Sequence, residues 1–149
     1  MADTFLRLIP EEPTLVPSAT ARERAHGALA RALPRADDVL AQVTQDVRFI
    51  DCGSNFETVR CPRCGTDVSE WWTLAMEAGH EQHYRDLRAT TPCCGLHTSL
   101  NDLAYSWPMG FARFTLEALN PGIASLPERV QRRLEEILGS KVRVIWADY

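Results

Sequence analysis

The chain has 149 residues, 45% apolar and 24% charged, with a formal net charge of −4. That is the balance of one globular domain able to bury about 68–70% of its unfolded surface. The acidity argues against a general binder of nucleic-acid backbone, which needs clustered positive charge, and favours a basic partner. No stretch approaches the ~20 apolar residues of a membrane helix, and residues 1–10 lack the apolar run of a signal peptide. Five cysteines cannot all pair as disulfides, so a reducing cytoplasm is the expected compartment. Lys141 is the only lysine against fifteen arginines, a bias expected of a GC-rich bacterial genome.

In chain order, residues 5–9 read as a short strand, and Pro10, Pro13 and Pro17 then impose a stiff connection. Thr20 and Glu23 have the spacing of a capping box. Behind it, Ala21, Ala25, Ala28, Leu29, Ala32 and Leu33 recur at helical spacing until Pro34. Val39, Ala41, Val43, Val47 and Phe49 alternate with polar residues. They predict a half-buried strand near a sheet edge, or two short strands joined near Gln45. Asp67 and Glu70 predict a second capped helix, with Val68, Trp71, Trp72, Ala75 and Met76 facing inward and a run on past Gly79 towards Leu87.

Residues 111–119 alternate again, with Ala112, Phe114, Leu116 and Ala118 on one side. Asn120-Pro121-Gly122 is a turn. Ser125 and Glu128 predict the cap of a third helix. Its buried stripe is Leu126, Val130, Leu134, Ile137 and Leu138, and Gly139 stops it. Val142, Val144 and Trp146 share one face of a last strand.

Without the cysteine-rich segment the order is β-α-β-β-α-β. The expected class is therefore α+β, a ferredoxin-like core in a single domain over residues 1–149. A zinc-ribbon and helix insertion, residues 52–108, would lie between the second and third strands, where the chain ends already meet. The alternative is one zinc-ribbon domain with flanking helices and no separate sheet.

The chemistry concentrates in Cys61-Pro62-Arg63-Cys64-Gly65 and its partial echo Thr91-Pro92-Cys93-Cys94-Gly95. Two cysteines two residues apart on a glycine-closed turn aim both sulfurs at one tetrahedral ion. Lining up the prolines and glycines sets Cys94 opposite Cys64 and Thr91 opposite Cys61. The fourth ligand is then Cys93 or His97, and the expected set is Cys61, Cys64, Cys93 and Cys94 around a structural Zn2+. Cys52 stands apart and reads as a small residue closing a strand.

The Cys-Pro-x-Cys-Gly pattern resembles the knuckles of zinc-ribbon proteins. Over the two knuckles alone, the resemblance implies zinc ligation by Cys61, Cys64 and Cys94. Thr91 departs from it. The whole chain is also similar to small bacterial cytosolic proteins with such a ribbon, which carry no activity over.

No catalytic residue is expected. His80-Glu81-Gln82-His83 is one residue short of the His-Glu-x-x-His protease helix, and no nucleophile elbow, phosphate loop or dinucleotide fingerprint is present. Trp71, Trp72, Tyr84 and Tyr105 could stack on bases, but five acidic residues interleave with Arg60, Arg63, Arg85 and Arg88. The loop from Tyr105 to Phe111 is expected to pack on the tryptophan helix. The expected function is non-catalytic binding of another protein, of an acidic inhibitor or immunity type facing a basic partner. A nucleic-acid-associated ribbon and a metal-dependent hydrolase are the alternatives.

Overall fold

The computed structural model describes residues 2–149. The chain runs β1 (Thr4–Pro10), α1 (Ala19–Ala32), β2 (Asp38–Ile50), β3 (Val59–Arg60), α2 (Ser69–Glu81), β4 (Arg88–Thr90) and β5 (His97–Ser99). A 3-10 turn (Leu100–Asp102) follows, then β6 (Ala104–Tyr105), β7 (Gly110–Leu119), α3 (Glu128–Leu138) and β8 (Val142–Asp148). The protein is thus of mixed α and β class, built on an antiparallel four-stranded sheet in the order β2-β7-β1-β8. A separate sheet exists, so the alternative without one is wrong. No helix among the described residues is long and apolar enough to cross a membrane.

Period-two alternation decides which face of the sheet is covered. Leu6 and Leu8 of β1, Phe114, Leu116 and Ala118 of β7, and Val142 of β8 meet Ala25 and Leu29 of α1, Leu33 at its C-cap, and Leu134, Ile137 and Leu138 of α3. The small side chains of α1 let it lie close to the strands. Gly139 ends α3 in the left-handed conformation, with φ 71° and its N–H bonded to Glu135 O at 2.9 Å.

The three capping boxes are misplaced by the pattern. α1 is capped by Ser18, whose hydroxyl accepts from Ala21 N at 3.1 Å, because the chain turns directly after Pro17 and Thr20 falls inside the first turn. α3 starts after Pro127 without a side-chain cap. At α2 the cap position is Val68, and Asp67 instead accepts from Ser69 N at 2.9 Å and from Ser69 Oγ at 2.6 Å.

β2 is one strand of thirteen residues, with its irregularity between Val43 and Arg48. Val43 pairs with Phe114 and Arg48 with Ala112, so β2 takes five steps where β7 takes two. This bulge re-aims the far end of the hairpin. Ala112, paired beside the bulge, is not in the helix-side core but packs with Ile9, Ile50, Cys52, Met109 and Ile145.

Between β2 and β7 lie two short ribbons, β3 with β6 and β4 with β5, and α2. Val59, Cys61, Val68, Met76, Leu100 and Leu103 are buried together there with Phe111 of β7, and Val47 and Phe49 of β2 pack on them. α2 stops at Glu81 rather than continuing to Leu87. His83 and Tyr84 take positive φ values of 57° and 53°, which folds Tyr84 back so that its N–H bonds Gly79 O at 2.8 Å. Its ring lies 3.0 Å from where a Cβ on Gly79 would be, so the missing side chain at Gly79 makes room for the reversal.

Candidate metal centre

The two knuckles are copies of one backbone turn. In the first, Cys61 N donates to Thr66 O at 2.9 Å and Gly65 N to Cys61 O at 2.9 Å; in the second, Thr91 N donates to Leu96 O at 3.0 Å and Gly95 N to Thr91 O at 3.1 Å. Gly65 and Gly95 close them with φ of 74° and 68°, a region glycine enters without steric cost.

The turns face each other and bring together Cys61, Cys64, Cys93 and Cys94, whose sulfurs all lie within 4.8 Å of one another. Cys61 Sγ is 3.7 Å from Cys94 Sγ, and Cys64 Sγ is 3.3 Å from Cys93 Sγ. Sulfurs at two corners of a tetrahedron with ~2.3 Å metal bonds stand about 3.8 Å apart. The four side chains therefore fit a single metal ion, and four thiolates would leave no coordination position open for water. Cys61 is buried at the floor of the site, while Cys64, Cys93 and Cys94 are exposed.

The surroundings favour ionised sulfur unevenly. The Cys61 thiol is held down to about 6, chiefly by the backbone N–H of Cys64, with smaller help from the Arg63 N–H and the Thr91 hydroxyl and against the opposing effect of burial. The Cys64 thiol is lowered first by the Thr66 hydroxyl, 3.1 Å away. Cys93 is pushed up to about 11, first by desolvation among its neighbours although its side chain reaches solvent, and then by the adjacent sulfurs. A cation among the four would remove that mutual penalty.

Thr91 is the residue beside the sulfurs that the pattern marks only as a departure. It is 2% exposed and stands where Cys61 stands in the other knuckle. Its Oγ1 is 3.8 Å from both Cys61 Sγ and Cys94 Sγ and accepts from Leu96 N at 3.1 Å. His97 lies outside the sulfur group, with its Nδ1 3.0 Å from Thr90 Oγ1.

His80 and His83 also lie outside it. His80 sits in the last turn of α2 with its ring edge-on to Tyr84 at 6.0 Å, and His83 lies in the left-handed reversal. Cys52 is fully buried, and burial raises its thiol. Trp72 packs between Phe49, Phe56 and Tyr105 and donates from Nε1 to Tyr105 Oη at 3.1 Å. Tyr105 in turn donates to Leu100 O at 2.6 Å. These aromatic rings are engaged in packing. Compared with known protein families, with characterised proteins and with solved structures, the chain finds no match.

Proposed function

We propose that this chain is a non-catalytic protein-binding module, stabilised by a structural zinc ion and directed at a basic partner in the manner of an acidic inhibitor or immunity protein. The ion would be held by Cys61, Cys64, Cys93 and Cys94. Soft thiolates in a closed tetrahedral set suit zinc among the metals such a site accepts. The core is read as ferredoxin-like, with residues 52–108 as the metal-bearing insertion. The strand order β2-β7-β1-β8, with α1 and α3 on one face, supports that reading.

The observation that carries the binding function is the outer face of α2. Leu74 is 67% exposed, and Glu70, Glu77 and Glu81 lie three to seven residues from it on the same helical face, all exposed. None of these glutamates is in an ion pair among the described residues. Residues 52–108 hold Glu57, Asp67, Glu70, Glu77, Glu81, Asp86 and Asp102 against four arginines, a net −3, which a zinc tetrathiolate deepens by about −2. A large apolar side chain ringed by unpaired acids suits a basic protein surface with an apolar pocket.

The test is co-purification with basic proteins encoded by adjacent genes, repeated with Leu74→Arg and Glu77→Lys. A complex that both substitutions abolish, in protein that keeps its zinc, supports the reading. No complex with any adjacent product counts against it.

A further inference from the structure

We infer that Cys93 is the exchangeable corner of the metal centre and the point at which it captures neutral, soft carbon electrophiles. The inference rests on the zinc reading above and goes beyond a purely structural ion.

The asymmetry of the knuckles carries it. A symmetric pair would take its fourth sulfur from position 91, at the floor of the second turn. Thr91 fills that place instead, 2% exposed. Cys93 occupies the position of Arg63, on the outside of its turn, and reaches back to within 3.3 Å of Cys64 Sγ. It is the one corner whose counterpart in the other knuckle, Arg63, is an exposed side chain outside the sulfur group.

It is also the one cysteine lining an adjacent open cleft of ≈ 560 Å³, beside Asp67, Glu70, Trp71 and Pro92. The cleft gives an incoming molecule an aromatic wall and an approach to this sulfur. Its two carboxylates and the negative tetrathiolate disfavour anions. If Cys93 leaves the ion, Cys61, Cys64 and Cys94 remain. The Thr91 hydroxyl, 3.8 Å from two of the three sulfurs, is placed to stabilise them.

With iodoacetamide as the probe, the Cys93 thiolate attacks the methylene carbon. The S–C bond forms as the C–I bond breaks, and iodide leaves with the electron pair. As a ligand of the ion Cys93 is already deprotonated, so no proton is released, and the product is a neutral thioether.

The experiment treats zinc-loaded, full-length protein with limiting iodoacetamide, maps the modified peptides by mass spectrometry and measures zinc in the same sample. Because it is the corner that opens on the cleft, Cys93 is expected to react roughly ten-fold faster than Cys64 or Cys94 when all are held as thiolates by the ion. The preference for iodoacetamide over iodoacetate should exceed that of glutathione by roughly ten-fold and shrink in Asp67→Asn/Glu70→Gln. The double variant Thr91→Cys/Cys93→Arg, which moves the sulfur to the buried corner, should lose the fast phase. Equal labelling of the three exposed cysteines, or faster labelling at Cys64 or Cys94, in protein holding one zinc overturns this inference and leaves the zinc reading intact. Protein that binds no zinc overturns both.

Discussion

Arg143 holds Asn101 by both its main chain and its side chain: one guanidinium nitrogen donates to Asn101 O at 2.8 Å and to Asn101 Oδ1 at 3.2 Å. The same nitrogen donates to Met109 O at 2.8 Å, and the other pairs with Glu11 at 2.9 Å. Asn101, 4% exposed, also accepts from Phe111 N at 3.0 Å and donates to Glu11 O at 3.1 Å. One edge strand, the first connection and the segment carrying the four clustered cysteines are thereby tied at one point. Gly110 leaves the space for it, since a Cβ there would lie 2.8 Å from the Arg143 guanidinium.

Asn101→Ala strands the buried Phe111 N–H and should cost about 1–3 kcal/mol. Urea unfolding followed by fluorescence measures it. A loss within experimental error of zero would mean that the knot is ornamental.

Glycine substitutions should have opposite signs at two positions. Gly53 has φ +60°, and a Cβ there would stand 2.3 Å from Asp148 O, a backbone atom, so Gly53→Ala should cost about 1–3 kcal/mol. Gly27 lies inside α1, where a Cβ meets only the mobile end of Arg31 at 3.1 Å. Gly27→Ala should therefore stabilise by roughly 0.5–1 kcal/mol. Thermal melts of the two variants beside the parent chain test the pair.

Zinc removal should act on one part of the molecule first. Cys61 belongs to the same buried cluster as Val59, Val68, Met76 and Leu100, with Trp71 and Trp72 packed on it, whereas Trp146 packs on the helix-side core. A strong chelator should weaken, without abolishing, the near-ultraviolet signal of Trp71 and Trp72 and speed amide exchange in α2. The amides of β1, β7 and α3 should stay protected. Uniform loss of protection across the chain would contradict this.

Zinc uptake should release more protons at low pH. In the metal-free protein Cys61 ionises at about 6 and Cys93 at about 11. At about pH 8 Cys61 has already lost its proton and Cys93 has not; at about pH 5.5 Cys61 must also release one, so the proton count per zinc rises by about one and affinity falls. Calorimetry in buffers of different ionisation enthalpy reads the count. The same group makes metal-free stability rise with pH between about 6 and 9, because in that window only the unfolded chain holds the Cys61 proton.

Strand and helix periodicity located β1, α1, β7, α3 and β8, because each lays one regularly spaced face on the helix-side core. Leu6 with Leu8, and Val130 with Leu134, record that burial in their spacing. The Cys-x-x-Cys turn was equally legible, since a knuckle is closed by local hydrogen bonds from Gly65 N to Cys61 O and from Cys61 N to Thr66 O. The helix starts were not. Ser18, Val68 and Pro127 won those positions because the chain's entry direction, set by distant packing, decides which residue turns first.

Tertiary structure alone decided the rest. The slip between Val43 and Arg48 depends on what β7 presents opposite them. The choice of Cys93 over His97 beside Cys64 depends on how two turns thirty residues apart approach each other. The Asn101–Arg143 contact joins groups 42 positions apart. Period and motif report forces acting within a few residues; a register, a fourth sulfur and a buried polar knot are settled by partners brought close only when the chain has folded.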